Sequence, residues 1–208
     1  MRHTRCVRRG NQVALAACPW QHGRVLNGLL TGYQAVGETE TADVERMRRL
    51  AAVAPDPWSR SQLPLHFTAS ALVVHPASRR LLLRWHVRQD RWLGVGGHGD
   101  PGETDPLQIA LREAREEAGL TDLVPWPDGS LRHAVVCRVR PSATEPEHEH
   151  ADLRYLLATS NPDAITPEDE HSPLRWVTFP EARDLLGADN LAETLDRAEL
   201  LLDVSAAH

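Results

Sequence analysis

The sequence predicts an α/β fold in which helices pack on the faces of a mixed β-sheet, preceded by a helical hairpin. Three observations support this prediction. Apolar residues recur at helical spacing between residues 22 and 54, strand-like and helix-like segments alternate from residue 66 onward, and a glycine-rich loop leads into a well-capped helix near the middle of the chain. The 208 residues suffice for one domain with an extension.

The first 62 residues predict a tail and then two helices. Residues 1–20 are rich in arginine and are expected to form a disordered basic tail. Residues 21–62 form the helical extension, in which a first apolar face comprises Val25, Leu26, Leu29, Leu30 and Tyr33. Gly37 breaks the pattern, and a second helix spans about 41–53 before the prolines that follow it. This hairpin should pack on the domain or on a partner subunit, so a homodimer is compatible with the sequence.

The remaining residues, 63–208, predict one domain of interleaved strands and helices. The predicted strands are 67–74, 80–85, 92–95, 132–139, 153–159 and 174–179. A helix is expected over residues 106–118, and Pro180 opens a last helical region. This alternation favours helices on both faces of a mixed sheet.

Composition and charge exclude several classes of protein. With 41% apolar and 25% charged residues, the chain resembles a globular protein rather than a disordered one. The net charge of −6 offers no general attraction to nucleic acid or to an anionic membrane, so neither is expected as a partner. No stretch approaches the roughly 20 apolar residues of a membrane-spanning helix. The three cysteines form no CxxC pair and are interpreted as free thiols of a cytoplasmic protein.

The segment most informative about function is the glycine-rich loop and acidic helix of residues 96–120. Asp105 is suited to cap the helix, Pro106 to occupy its first position, and Gly119 to end it. Within the helix, Glu113 and its two neighbouring carboxylates, Glu116 and Glu117, fall within about 100° of arc. Such carboxylates repel one another, and a bound Mg²⁺ would offset this repulsion more than the nearby arginines do. A solvated helix face is the alternative for these charges taken in isolation.

The combination of loop and helix resembles the signature of the Nudix hydrolase family, G-x5-E-x7-R-E-U-x-E-E-x-G-U, where U is a bulky aliphatic residue. The matching positions here are Gly97, Glu103, Arg112, Glu113, Glu116, Glu117 and Gly119. The resemblance covers at least residues 63–186 and implies a Nudix-type α/β/α sandwich, with residues 63–208 as the hydrolase domain. One extra residue precedes Arg112, Ala114 replaces a larger aliphatic residue, and Val95-Gly96 replaces a common Pro-Gly.

The resemblance also implies a Mg²⁺ site, at which Mn²⁺ could substitute. Glu116 and Glu117 would be the main ligands, together with the backbone carbonyl of Gly97. Glu113 would be a further ligand or would orient the attacking water, and Glu103 would be an outer partner. Because of the extra residue, the role of Glu103 is less directly implied than those of the helical glutamates.

Arg112 would hold the glutamates in place, so the implied catalytic set comprises Arg112, Glu113, Glu116 and Glu117. The implied reaction is attack of water on phosphorus in a nucleotide-like small molecule, with Mg²⁺ neutralising the pyrophosphate oxygens and lowering the pKa of the nucleophilic water. The substrate would be a nucleoside diphosphate linked to another group, or a (deoxy)nucleoside triphosphate. A non-catalytic Nudix-fold sensor or regulator is the alternative, although such proteins usually carry damaged signatures and this one keeps every carboxylate.

Other residues are weaker candidates for the same site. Arg84 and Arg91 flank the strand that enters the glycine loop and could contact substrate phosphates, with a surface role as the alternative. An additional acid could come from the loop that contains Glu168, Asp169 and Glu170, which could equally be a solvated loop.

Two further sets of residues have both a functional and an ordinary structural explanation. His148, His150 and Asp152 alternate along a strand and could converge as a metal cluster, but no fourth ligand is evident, and a substrate-facing role is favoured. Trp85, Trp92 and Trp176 could stack on a base, although core positions are more common for such residues.

Overall fold

The computed structural model describes residues 19–143, 145–186 and 190–206. The tail predicted over residues 1–20 lies outside these residues, apart from Pro19 and Trp20, which begin the first helix. Among the described residues, no helix has both the length and the apolar character needed to cross a bilayer.

Two helices precede the first strand, and three more follow within the described residues. The helices are α1 (Pro19–Gly32), α2 (Gly37–Val53), α3 (Pro106–Ala118), α4 (Phe179–Leu186) and α5 (Leu191–Ala206). The strands are β1 (Leu65–His75), β2 (Arg80–His86), β3 (Arg91–Leu93), β4 (Val95–Gly97), β5 (Val124–Pro125), β6 (His133–Val139), β7 (His148–Ala158) and β8 (Leu174–Val177).

The described strands form one mixed sheet centred on β1 and β7. These two long strands pair in parallel, with His66 in register with His150 and Thr68 in register with Asp152. The path β3-β2-β1-β7-β5 runs through the sheet, while β4 pairs with β1, β6 with β7, and β8 with β2. All of these other pairings are antiparallel. The predicted mixed sheet is therefore confirmed.

Helices cover both faces of this sheet, as the sequence predicts. On one face α1, α2 and α3 share an apolar core that includes Leu26, Met47, Phe67, Ile109 and Ala114. On the other face α4 and α5 pack over a second core that includes Leu72, Leu83, Val177, Ala182 and Leu195. Because alternate residues of a strand point to opposite faces, β1 contributes Phe67 to the first core and Leu72 to the second.

The N-terminal hairpin packs on its own domain. Helix α2 lies along β6, where the carboxylates of Glu40 and Asp43 accept hydrogen bonds from the backbone N–H groups of Ala134 (3.0 Å) and Val136 (2.9 Å). These contacts satisfy backbone donors on the side of β6 that faces away from β7. α2 begins at Gly37 rather than near Thr41, four residues earlier than the apolar pattern indicates.

Three predicted strands differ most from those observed. The predicted strand 92–95 is divided at Gly94, because the chain changes partner there: β3 pairs with β2 and β4 pairs with β1. β7 begins at His148 rather than Leu153, since pairing with β1 and β6 extends the strand through a polar segment. β8 ends at Val177 because Phe179 already belongs to α4.

Candidate active site

The glycine loop and α3 have the local structure that their sequence predicts. The side chain of Asp105 accepts hydrogen bonds from the N–H groups of Leu107 (3.0 Å) and Gln108 (3.4 Å) at the start of α3. Gly119 follows the helix with a φ of 68°, the left-handed conformation that glycine tolerates best. α3 runs without interruption from Pro106 to Ala118, so the extra residue of the signature lies in the non-helical segment before it.

Gly96 and Gly97 allow the loop to lie directly against neighbouring residues. A Cβ atom on Gly97 would lie 2.7–2.9 Å from the carboxyl group of Glu113, so any side chain would displace that carboxylate. Gly96 has a φ of 145°, and a Cβ there would lie 2.4 Å from the Cα of Ser70. The N–H of Gly96 donates a 2.9 Å hydrogen bond to Glu117. The absence of side chains thus brings backbone and carboxylates together.

Arg112 contacts three of the signature carboxylates. Its guanidinium donates to both oxygens of Glu103 (2.9–3.2 Å) and to Glu116 (2.8 Å), and lies 3.0 Å from Glu113. A further hydrogen bond of 2.8 Å reaches the backbone carbonyl of His98. Glu103 therefore contacts Arg112 despite the extra residue between them.

Glu117 contacts a different arginine, Arg84. Arg84, on β2, places one guanidinium nitrogen 3.2 Å from Glu117 and another 3.1 Å from Glu168. Arg84 is buried, and its Nε has no hydrogen-bond partner among the described residues. Arg84 therefore joins the carboxylates of α3 to the loop before β8.

Electrostatics distinguish the glutamates of this site. Burial raises the pKa of Glu117 to about 7, although the N–H of Gly96 and the charge of Arg84 act in the opposite direction. Burial also raises the pKa of Glu113, against the opposing effect of Arg112. For Glu103, burial would raise the pKa, but hydrogen bonds from Arg112 and from the N–H of Asp100 lower it overall. The side chain of Glu116 is 53% exposed, whereas those of Glu113 and Glu117 are 15% and 13% exposed.

Arg91, Glu168 and Glu170, the weaker candidates from the sequence, lie in different parts of the structure. Arg91 is exposed at the start of β3 and lines the cavity described below. Glu168 lies beside Arg84 and so joins the site. The side chain of Glu170 is 88% exposed and pairs with His171 at 3.6 Å. Glu168 therefore contacts the site and Glu170 does not, although the sequence gives no reason to distinguish them.

An open cavity of about 170 Å³ adjoins this site on the sheet face that α5 covers. Gly96 and Gly97 line it, so the same glycines contact the carboxylates and border the cavity. Its polar wall includes Thr68, Ser70, Asp152, Arg154 and Thr194. No local sequence pattern predicts that these residues meet, because the pairing of β1 with β7 and the packing of α5 bring them together.

A buried polar network forms the base of the cavity. Asp152 accepts hydrogen bonds from Thr68 (2.9 Å), Ser70 (2.8 Å) and Arg154 (2.9 Å). Burial would raise the pKa of Asp152, but Arg154 and the two hydroxyl groups lower it. Arg154 also donates to the backbone and side-chain oxygens of Asn190 (3.2 and 2.7 Å). Because all these groups are partnered, the network has a defined geometry.

Of His148, His150 and Asp152, which the sequence allows as a metal cluster but favours as substrate-facing, only the two histidines belong to a group of possible metal ligands. The rings of His148 and His150 do meet, with their Nε2 atoms 3.1 Å apart. Asp152 is instead engaged by Thr68, Ser70 and Arg154, and the group of possible metal ligands found in the described residues is His66, His148 and His150. Burial lowers the pKa of His66 and of His150, so both imidazoles are neutral at pH 7.

The three tryptophans of the sequence analysis occupy packed positions. Trp176 donates from its indole nitrogen to the carbonyl of Pro162 (2.8 Å) and packs against the first core. Trp85 and Trp92 pack edge to face, with ring centroids 5.6 Å apart. These contacts favour the core role over base stacking.

Comparison with known families agrees with this architecture. A family model described as the NUDIX domain matches residues 64–198, well over half of the chain, and the protein therefore belongs to the Nudix hydrolase family. No curated protein matches the chain significantly.

Solved structures with a similar fold include two from C. elegans. One is an Ap4A hydrolase (23% identity, TM-score 0.50), which matches 65% of this chain and 96% of that chain. The other is a binary complex of an Ap4A hydrolase (22% identity, TM-score 0.51), matching 66% of this chain and 97% of that one. At these levels of identity the similarity concerns the fold.

Proposed function

We propose that the protein is a Mg²⁺-dependent pyrophosphohydrolase. It would cleave a nucleoside diphosphate linked to another group, or a (deoxy)nucleoside triphosphate, by attack of water on phosphorus. The observation that carries this proposal is the position of two largely buried carboxylates, Glu113 and Glu117, against the backbone of Gly96 and Gly97 at the border of a polar cavity.

The composition of the site fits a hard divalent cation. Two guanidinium groups, those of Arg84 and Arg112, lie within 4.0 Å of seven carboxylates. These carboxylates belong to Asp100, Glu103, Glu113, Glu116, Glu117, Glu168 and Asp169. Burial without sufficient positive charge raises the pKa of Glu113 and Glu117, and a cation would relieve this imbalance. Oxygen ligands in a partly exposed site are those that Mg²⁺ prefers, and Mn²⁺ would be accepted as a substitute.

The residues proposed to hold the cation are Glu116 and Glu117, with Glu113 and the carbonyl of Gly97 as further ligands. Bound Mg²⁺ would neutralise pyrophosphate oxygens and lower the pKa of a water molecule. As the alternative to binding the metal, Glu113 is proposed to orient that water molecule. Arg112 positions Glu103, Glu113 and Glu116 through its hydrogen bonds, so its role is one of positioning.

The cavity is proposed to receive the nucleoside part of the substrate. Its fixed polar groups, Asp152 and Arg154 among them, can orient a ligand by hydrogen bonding, while Leu72, Leu93 and Leu191 provide apolar surface. The substrate phosphates would then cross the edge formed by Gly96 and Gly97 to reach the carboxylates. Arg91 at the cavity, and the guanidinium of Arg84 beside Glu117, are proposed to bind phosphate oxygens.

The decisive experiment measures phosphate release from a panel of substrates. The panel contains nucleoside triphosphates, nucleotide sugars, ADP-ribose, NADH and dinucleoside polyphosphates, each with Mg²⁺, Mn²⁺ or EDTA and coupled to phosphatase or pyrophosphatase. The proposal predicts metal-dependent turnover of at least one class, with none in EDTA. Turnover that persists in EDTA would contradict the metal assignment. Absence of turnover together with tight nucleotide binding by calorimetry would instead favour the sensor.

A further inference from the structure

Four histidines converge at one end of the cavity. His66 lies on β1, His98 follows β4, and His148 and His150 lie on β7. The Nε2 atoms of His66 and His98 are 3.0 Å apart, and those of His148 and His150 are 3.1 Å apart. In five of the six ring pairs of this group, the ring centroids are 4.8–5.2 Å apart. We call these residues the four-histidine cluster.

The sheet explains why the rings meet. β1 and β7 pair in parallel with His66 in register with His150, so their side chains lie next to each other on one face. His148 lies two residues before His150 and therefore points to the same face. β4 pairs with β1 up to the position of Gly97, and this pairing delivers His98 to the same place.

Two of the rings are oriented by backbone carbonyls. Nδ1 of His66 lies 3.2 Å from the carbonyl of Gln62, and Nδ1 of His148 lies 2.8 Å from that of Pro146. A carbonyl oxygen only accepts hydrogen bonds, so both Nδ1 atoms carry a proton, and in the neutral imidazole the Nε2 atom then has the lone pair that can bind a metal. Metal-binding histidines commonly have this arrangement, in which one nitrogen binds the metal and the other donates to a carbonyl.

The distances suit one small ion. Zinc–imidazole bonds of about 2.1 Å in tetrahedral geometry place neighbouring nitrogens ~3.4 Å apart. The two Nε2 pairs lie at 3.0 and 3.1 Å, and the ligand atoms of His66, His148 and His150 all lie within 4.8 Å of one another. His66, His148 and His150 therefore form the core of the site, while His98 lies 3.0 Å from His66 but outside this three-histidine group and would have to move closer to the other rings to become the fourth ligand. Two nearby cations, Arg60 and Arg88, share the carboxylate of Glu145 at 4.0 and 2.5 Å, which reduces their repulsion of a bound ion.

We propose that the four-histidine cluster binds one divalent transition-metal ion, with Zn²⁺ the best match to four imidazole ligands. This site is separate from the carboxylates of α3, whose oxygen ligands favour Mg²⁺. The ion would tie the glycine loop to β1 and β7 through His98. Because His98 and His150 also line the cavity, the ion would stabilise its wall. The proposal does not depend on the proposed hydrolase activity.

Cobalt provides a probe that distinguishes the two sites. Metal-free protein is titrated with Co²⁺ and followed by visible absorption, because tetrahedral nitrogen coordination gives intense bands and octahedral oxygen coordination gives weak ones. We expect one equivalent of Co²⁺ per chain with intense bands, which Zn²⁺ abolishes and a large excess of Mg²⁺ does not. Failure of the wild-type protein to develop intense bands would overturn the proposal.

Variants of single histidines test which residues bind the cobalt ion that gives the absorption bands. His66→Ala, and separately His150→Gln, should lower the affinity for Co²⁺ at least 100-fold, since each removes a direct ligand and even outer partners cost about 10–100-fold. His171→Ala, at an exposed histidine, is the matched control and should bind as the wild type does. The double variant Glu116→Gln/Glu117→Gln should keep the bands. Circular dichroism verifies folding of each variant, and bands that persist in a folded His150→Gln protein would contradict the proposal.

Discussion

Glu40 on α2 and Glu117 on α3 are both withdrawn from solvent, yet their pKa values shift in opposite directions. Burial would raise the pKa of Glu40, but Arg197, Tyr33 and the N–H groups of Val36 and Ala134 lower it to about 2. For Glu117, burial dominates and raises the pKa to about 7. The hydrogen-bond donors around Glu40 are enough to offset the effect of its burial, whereas those around Glu117 are not.

The contacts of Glu40 explain this difference. Arg197 on α5 donates to both of its oxygens at 3.1 and 2.8 Å, and the N–H of Val36 donates at 2.7 Å. The hydroxyl of Tyr33 also donates to it. This arrangement joins the N-terminal hairpin, β6 and α5 in a complete network. The charge of Glu40 is stabilised by its donors and maintains structure, whereas the charge of Glu117 is stabilised less than its burial requires, as is common at functional sites.

The largest expected effect is on catalysis. Glu117→Gln and Glu116→Gln should each lower turnover at least about 100-fold, because loss of a direct metal ligand should cost more than loss of an outer partner. Steady-state kinetics with Mg²⁺ measures this effect, and circular dichroism should show a preserved fold. Glu170→Gln, at an exposed glutamate, is the control. Wild-type rates in both of the first two variants would remove these residues from the proposed site.

Glu40→Gln should have its main effect on stability. It leaves Arg197 without its buried partner and should lower the free energy of unfolding at pH 7 by about 3 kcal/mol. Glu38→Gln, in the same first turn of α2 but exposed, should change it by less than about 0.5 kcal/mol. Chemical denaturation of both variants gives the comparison. Equal effects would show that the Glu40 network contributes nothing specific.

The opposite pKa shifts predict opposite dependences of stability on pH. Glu40 has a folded pKa below its ordinary value of 4.5, so its stabilisation is complete above about pH 4.5 and is lost as the pH falls towards 2. Glu117 has a folded pKa above 4.5, so the folded protein holds a proton that the unfolded chain has released. Its contribution to stability therefore decreases as the pH rises from about 4.5 to 7.

Metal-free protein isolates the second effect. Between pH 5 and pH 8 in EDTA, the wild type should lose about 2–3 kcal/mol of unfolding free energy relative to Glu117→Gln, which cannot ionise there. Denaturation curves at the two pH values measure the difference, and added Mg²⁺ should reduce it. If the free energy of unfolding depends on pH in the same way for the two proteins, burial does not raise the pKa of Glu117.

The smallest expected effect concerns the loop before β8. Glu168→Gln should lower kcat/KM by roughly twofold to fivefold, because Glu168 contacts Arg84 but is half exposed, where charge interactions are weak. Glu170→Gln should leave kcat/KM unchanged. Kinetic constants for the matched pair decide between the two neighbours. Equal kcat/KM values for the two variants would show that the contact between Glu168 and Arg84 does not contribute to activity.

The local features of the active-site segment could be predicted because their causes are close in sequence. The cap by Asp105, the proline after it and Gly119 set the bounds of α3, and the predicted helix 106–118 matches the structure. Helical geometry also places Glu113, Glu116 and Glu117 on one edge. The family signature lies within these same residues, so family and fold class followed from them and were confirmed.

Features that depend on distant partners were not predictable in this way. His66 and His148 are 82 positions apart, and Glu40 and Arg197 are 157 apart. The division of the predicted strand at Gly94 likewise results from a change of partner strand. No local pattern distinguishes Glu168, beside Arg84, from the exposed Glu170.

The sequence by itself therefore determined the alternation of helices and strands, the capped acidic helix and the glycine loop before it, since hydrophobic period, capping and backbone freedom act over a few residues. The tertiary structure decided which strands pair and which charges share a partner. The parallel register of β1 with β7 assembled the four-histidine cluster and the polar cavity. Packing determined that nearby donors outweigh burial at Glu40 and do not at Glu117, because burial and the number of nearby donors exist only in the folded chain.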